Sequence, residues 1–473
     1  MALTRAPSAR WVRSPSVLWR RSLGVTYVLG TGDVIALGGP AAVLWEVLGE
    51  STTSDDAIAA LALLHGEPTA AVEHEIGEMI ERLAAQGLLR DTATTTAPPA
   101  LAVAHRAPGT TTTPAMDPSA AIAGWDLPGC PLRLPDPAVA GWPALVESIR
   151  RERLSGLAVA AHLAGDLPLS DDEIEPLRTA HRDAMVTCLR LERLLISTVD
   201  ALEDVGIEPL VIKGPSIAHL RYEDPSMRPF GDIDLLVPAA QLDRAFAVLS
   251  ALGHERRYPQ PRPGFDQRFG KGAAFVADDG LEIDVHRTFA SGPFGLTVDT
   301  EDAHRNARTF TVGGRTLRTL ADSTALVSLA MHAVLGTRLP RLLNLRDVAQ
   351  VADQVDVDEA IAVSTRWRVD AAVALAVRHA ADRFELESTP LVTWARAHTA
   401  SGAQERALRV YTSADRSYAR QALAALPALP GTRARAAYVR AMVFPDRSYV
   451  AGRDGSQRRR WLRIARVLSR SER

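Results

Sequence analysis

The stretch LVIKGPSIAHLRYEDPSMRPFGDIDLLV, residues 210–237, decides the fold. Its last part, Gly231-Asp232-Ile233-Asp234-Leu235-Leu236-Val237, is the apolar run of a buried strand carrying two carboxylates. Side chains alternate faces along a strand, so Asp232 and Asp234 project from the same side. Two like charges so close repel, and each raises the pKa of the other unless a cation sits between them. A buried strand with two aligned carboxylates therefore makes most physical sense as a divalent-metal site. Oxygen-only ligands favour Mg²⁺ or Mn²⁺ over zinc.

Working outward, a third acid stands in LEIDVH, residues 281–286. Ile283 and Val285 flank Asp284, so this is again a strand with one inward acid, and Glu282 and His286 share its face by period two. Three acids on adjacent strands can hold two metals, one for nucleotide phosphates and one to activate an acceptor hydroxyl. Asp284 is then the base or second-metal ligand. Glu282 reads as a solvated or salt-bridged side chain and His286 as a structural neighbour. Upstream, Ile207–Lys213 is a buried-strand pattern, and Lys213-Gly214-Pro215-Ser216 turns it into a helix reaching Arg221. Gly214 lets backbone approach a phosphate, and a helix start favours anions. Ser216 can donate to a phosphate oxygen, Lys213 supplies a point charge, and Arg228 and Gly231 of MRPFGD complete the nucleotide-binding set. The Walker pattern GxxxxGK[ST] is absent.

Composition points to the same place. The chain has 473 residues and 54 basic residues, of which only Lys213 and Lys271 are lysine. Both precede a glycine and both fall near the acids. Lys271 reads equally as a phosphate contact or a loop charge. The net charge of −2 argues against a surface built throughout for nucleic acid. No apolar run reaches the roughly 18 residues of a spanning helix. No secretory signal is readable, and two cysteines make neither a disulfide framework nor a cysteine-built zinc site. The expected location is cytoplasmic.

Four regions follow. Residues 14–91 alternate short β-prone runs and three helical patterns, the arrangement of a small winged-helix-like module, with Trp45 as a core residue. Residues 92–141 are rich in Thr, Pro and Ala and read as a linker. Residues 142–320 comprise a helical lead-in and an α/β (α+β) core. Residues 321–473 are mostly helical and end in a basic tail, with eight arginines and two acids in residues 453–473. In the helical part, His332 reads as a core histidine. Arg338 lies in the same part, and Arg341 either approaches the nucleotide or pairs with Asp347.

Strand, Lys-Gly, helix, then GDIDLLV and a strand with one acid resembles the nucleotidyltransferase superfamily related to DNA polymerase beta. The wording of residues 213–237, with IDVHRTF and LAMHAVLGTRLPRLLNLRDVAQVAD further on, looks like an uncharacterised bacterial nucleotidyltransferase-like family. The resemblance implies transfer of a nucleoside monophosphate from an NTP, with Asp232, Asp234 and Asp284 as catalytic metal ligands. The N-terminal residues LWRRSLGVTYVLG, VIALGGPAAVLWEVL and AVEHEIGEMIERLAAQGLL are similar to the PqqD-like peptide-recognition domain. That similarity implies a leader peptide added as a strand at the edge Asp33–Leu37, beside the helix His74–Leu83, hence a ribosomally made precursor peptide as acceptor. Acceptors that are RNA, protein or a small molecule stay open at this point, as does a non-catalytic nucleotide-binding adaptor.

Overall fold

A computed structural model describes residues 9–22, 24–49, 51–91, 113–114, 117–137, 141–337, 339–413 and 418–454. Arg338, most of the Thr/Pro-rich stretch and nearly all of the basic tail lie outside the described residues.

The N-terminal module has β1 (Arg10–Arg13), β2 (Leu18–Ser22), β3 (Val25–Leu29), β4 (Val34–Leu37), α1 (Pro40–Val47), β5 (Thr52–Thr53), α2 (Ser54–His65), α3 (Thr69–Ala85) and β6 (Leu89–Asp91). Strands β2, β3 and β4 form an antiparallel meander with β4 at its edge. The sequence reading missed the second sheet, β5-β1-β6. Its strands are short, and RWVR at β1 has no clean alternation. Val28, Leu44, Trp45, Leu61, Ile76 and Ile80 bury the module's own core.

Part of the expected linker is not a linker. After β7 (Thr113–Pro114), helix α4 (Pro118–Gly124) is buried on all sides, followed by β8 (Leu132–Arg133). Its Ala120, Ala121, Ile122 and Ala123 join the largest apolar core, and the buried Arg346 donates to the carbonyls of Ala123 and Trp125. Small residues let a helix seat closely, and such a run lacks the amphipathic period that flags a helix in sequence.

The central body contains α5 (Trp142–Arg151), α6 (Ser155–Leu163), α7 (Asp171–Glu203), β9 (Leu210–Ile212), α8 (Gly214–Arg221), β10 (Asp232–Leu236), α9 (Leu242–Ala251), β11 (Glu255–Arg256), α10 (Phe265–Arg268), β12 (Gly272–Val276), β13 (Glu282–His286), α11 (Gly292–Thr297), α12 (Thr300–Arg305), β14 (Arg308–Val312) and β15 (Arg315–Thr319). A seven-stranded mixed sheet runs β11-β12-β13-β10-β9-β15-β14, with β10 parallel to β13 and antiparallel to β9. Ile233, Leu235, Ile283 and Val285 bury one face against Met185, Leu189 and Leu195 of α7 and Phe246 of α9. Leu18, Tyr27 and Leu29 of the module share that layer, so the module packs on the face opposite the acids.

The other face meets helices: α13 (Asp322–Met331), a π-helical turn (His332–Gly336), α14 (Leu342–Ala352), α15 (Val357–Arg366), α16 (Asp370–Phe384), α17 (Pro390–Ala397), α18 (Gly402–Thr412), α19 (Tyr418–Ala425), α20 (Gly431–Val443) and α21 (Arg447–Asp454). Among the described residues, no helix is long and apolar enough to cross a membrane.

Candidate active site

Strand pairing sets the site. Asp234 on β10 stands directly opposite Asp284 on β13, and Asp232 opposite Glu282. All four project from the face turned toward the helices. On the other side of β10, Asp234 pairs with Ile212, the residue before Lys213. Lys213 therefore leaves β9 beside Asp234, and its Nζ donates to Asp234 Oδ1 at 2.5 Å. His286, two residues beyond Asp284, donates from Nε2 to the same oxygen at 2.6 Å. Its Nδ1 is buried without a partner among the described residues.

Burial alone would raise the Asp234 carboxyl, but Lys213 and then His286 hold it well below the usual carboxylate range. Its neighbours show the opposite. Burial and then the Asp234 charge push Asp284 up to about 6. Burial and Asp234 also raise Asp232. His286 is driven down to about 3, first by burial and then by Lys271, so its imidazole is neutral. Lys271 is lowered by burial and by Lys213, and its charge reaches Asp234, Asp284 and Asp232. The chain's two lysines thus meet at one carboxylate cluster.

Ligand atoms of Asp234, Asp284 and His286 lie within 4.8 Å of one another, a spacing one metal ion can bridge. That group differs from the expected trio: His286 joins it, and Asp232 stands outside. The residues suit a divalent cation, because two carboxyls with raised pKa values flank a third, a mutual repulsion that a hard cation relieves.

Other expected residues point elsewhere. Ser216 is buried, and its Oγ donates to the Lys213 carbonyl at 2.8 Å rather than opening to a ligand. Arg228 is buried against Asp347, with Nη2 to Oδ2 at 2.6 Å and Nε to Oδ1 at 3.3 Å, and Tyr222 donates its hydroxyl to the same carboxylate at 2.9 Å. The pairing of Asp347 with Arg341 is thereby excluded. Glu282 pairs with Arg257 on the surface. Gly231 is where the chain needs no side chain: a Cβ there would sit 3.1 Å from both terminal nitrogens of Arg153.

The sequence reading missed Arg153 altogether. It lies between α5 and α6 at φ 61°, a conformation that favours glycine. Its guanidinium is lowered by burial and by the adjacent charge of Arg341, while Asp232 pulls it the other way. Neither arginine has an ion-pair partner among the described residues. Two guanidinium charges close enough to act on one another, with Asp232 in range of Arg153, are of the kind that suits an anion. Only their charge marked them in the sequence, among dozens like them.

At the opposite end, beyond His286, a cleft of about 340 Å³ opens between Lys271, Phe289, Met331, His332, Tyr411 and Gln421. The half-buried His332 lines this cleft instead of filling a core, and burial with Lys213 holds its imidazole well below the usual range.

Comparison with known proteins adds the following. A family described as uncharacterised nucleotidyltransferase matches residues 139–385. The model for coenzyme PQQ synthesis protein D (PqqD) matches residues 24–89. The antibiotic-resistance factor ANT(2'')-Ia aligns at 14% identity over 40% of this chain and 96% of its own, with TM-score 0.28. An antigenic nucleotidyltransferase-like protein from Paracoccidioides brasiliensis aligns at 15% identity over 46% of this chain and 94% of its own, with TM-score 0.26. A search of curated proteins found no match.

Proposed function

Because the chain belongs to the uncharacterised nucleotidyltransferase family, we propose that it moves a nucleoside monophosphate from an NTP to an acceptor hydroxyl and releases pyrophosphate. The observation that carries this reading is the register of Asp234 opposite Asp284, with Lys213 bound to Asp234. In this reading Asp234 and Asp284, with Asp232 alongside, would hold Mg²⁺ or Mn²⁺. There it would supply charge neutralisation and Lewis-acid chemistry to the donor phosphates.

The chain's residues do the rest. Arg153 and Arg341 bind the outgoing pyrophosphate portion at the Asp232 end, next to the backbone of Gly214. Lys213 neutralises phosphate charge at the centre. The acceptor oxygen attacks the α-phosphorus as the bond to the bridging pyrophosphate oxygen breaks. Asp284, at the centre of the site, takes the acceptor's proton. Positioning and charge neutralisation supply most of the rate for such in-line transfers.

A ribosomally made peptide is the proposed acceptor, supported by the PqqD match and by β4 as an edge strand. Its leader would add to β4 by β-augmentation, in a cytoplasmic enzyme. The test is transfer from α-labelled NTPs with Mg²⁺ to a candidate precursor peptide and, in parallel, to tRNA. A peptide mass gain of one nucleotidyl group supports the reading. Label on RNA alone removes the peptide. Equal Mg²⁺-NTP binding by wild type and the Asp232→Ala/Asp234→Ala variant, with no turnover by either, overturns the enzyme.

A further inference from the structure

Resting on the nucleotidyltransferase reading, we propose that the cleft beyond His286 is the nucleobase subsite of the donor, and that Gln421 reads the edge of an adenine there. The site is laid out along the strands. Arg153 and Arg341 lie at the Asp232 end, Asp234 and Asp284 at the middle, and Lys271 and His332 at the start of the cleft. Four residues of strand separate the Asp232 and His286 levels, roughly 13 Å, the scale of an extended nucleotide from pyrophosphate to sugar. A donor anchored by its phosphates at one end thus brings its base to the other.

The cleft's chemistry suits a flat heterocycle. Phe289, Met331 and Leu335 give apolar walls for ring faces, and a few polar groups converge on the edge. Gln421 lines the cleft and is only 9% exposed, and no hydrogen bond holds its side-chain amide among the described residues. An amide that no protein group holds, at the wall of a cleft, keeps its donors and acceptor available to a ligand. Its one acceptor and its donors match the N6 amine and N7 of adenine, whereas guanine offers two acceptors on that edge. Nearby, the Tyr411 hydroxyl is held by the Ser291 carbonyl, donating at 2.6 Å, and this fixes the wall opposite.

His332 stands where the base meets the sugar. It opens a π-helical turn, a distortion frequent at functional sites. Gly336 closes that turn, and a Cβ there would lie 3.2 Å from His332 Nδ1, so the glycine leaves the imidazole room to lie along the cleft. Being neutral, this ring can hydrogen-bond a ribose hydroxyl, while Lys271 faces the phosphate side.

The experiment is calorimetric titration of the full chain, with Mg²⁺, against ATP, GTP, CTP, UTP and inorganic tripolyphosphate. Wild type, Gln421→Leu and the near-isosteric Gln421→Glu are compared. ATP should bind wild type about tenfold or more tighter than GTP. Both variants should lose that preference, with tripolyphosphate affinity unchanged as the internal control for folding. If nucleotides bind and the ATP:GTP ratio survives both substitutions, the subsite is overturned while the transferase reading stands. If wild type binds neither NTPs nor tripolyphosphate, the transferase reading itself fails.

Discussion

Lys213 Nζ lies 2.5 Å from Asp234 Oδ1, with both side chains less than a tenth exposed, while the Lys213 backbone sits at φ 62° and ψ −148°. That backbone region belongs almost wholly to glycine and costs a side-chain-bearing residue about 1–3 kcal/mol. The ion pair, and the Ser216 hydroxyl on the Lys213 carbonyl, hold it there. Lys213→Ala keeps the strain and strands a buried carboxylate, at an expected cost of about 3–5 kcal/mol. Lys213→Gly releases the strain and should lose less. Millimolar Mg²⁺ should recover part of either loss, because a cation replaces the ammonium. Urea unfolding with and without Mg²⁺ checks this. Equal midpoints for all three proteins would refute it.

Asp284 carries a pH signature. Its carboxyl is raised from an ordinary 3.8 to about 6, so the fold favours the protonated form. Between those values the unfolded chain ionises first, and metal-free stability falls as pH rises through this window, then levels. Asp284→Asn should erase that part of the curve and abolish transfer. Melting temperatures against pH in EDTA, for both proteins, decide it; a constant difference between the two curves counts against the assignment.

Arg228 should behave as a structural residue. Removing one partner of its buried pair with Asp347 is expected to cost about 3–5 kcal/mol, and Arg228→Lys should rescue poorly because a point charge cannot make both contacts. Affinity for tripolyphosphate should change less than twofold in whatever fraction folds. A tenfold loss of that affinity without destabilisation would return Arg228 to the phosphate site.

Arg153 and Arg341 should show the reverse pattern. Each alanine variant is expected to raise the KM for NTP about tenfold, near 1.4 kcal/mol, with a melting temperature within a degree or two of wild type. Adding salt should shrink the effect, since both arginines are solvent-accessible residues. Unchanged KM in the double variant would leave the pair without a role.

The module's attachment rests on a buried relay. Glu192 of α7 takes Arg20 of β2 and, at 2.7 Å, Nε2 of His219 on α8, the helix that starts at Gly214. Glu192→Ala leaves Arg20 buried and unpaired. The expected outcome is a module that undocks before the core unfolds, seen as a second calorimetric transition. A single transition at the wild-type position would show that the apolar layer of Leu18, Tyr27 and Leu29 suffices.

Local chemistry settled much of this protein from sequence alone. The alternation of Asp232, Ile233 and Asp234 fixed which side chains share a face, because the strand period is a covalent property of the backbone. The Lys-Gly turn, the third acid in LEIDVH and the three helices of the module were likewise readable, each signal lying within a few residues. Tertiary structure decided the rest. Only the parallel register of β10 and β13 set Asp284 against Asp234, and only the chain's path brought Arg153, Lys271 and His332 to that sheet face. Only packing turned Arg228 toward Asp347 and Ser216 toward its own backbone, and drew α4 out of an expected linker into the core. The physical reason is common to all of these: periodicity and turn chemistry act between near neighbours, whereas pairing of charges and burial depend on contacts distant in sequence, which no local pattern encodes.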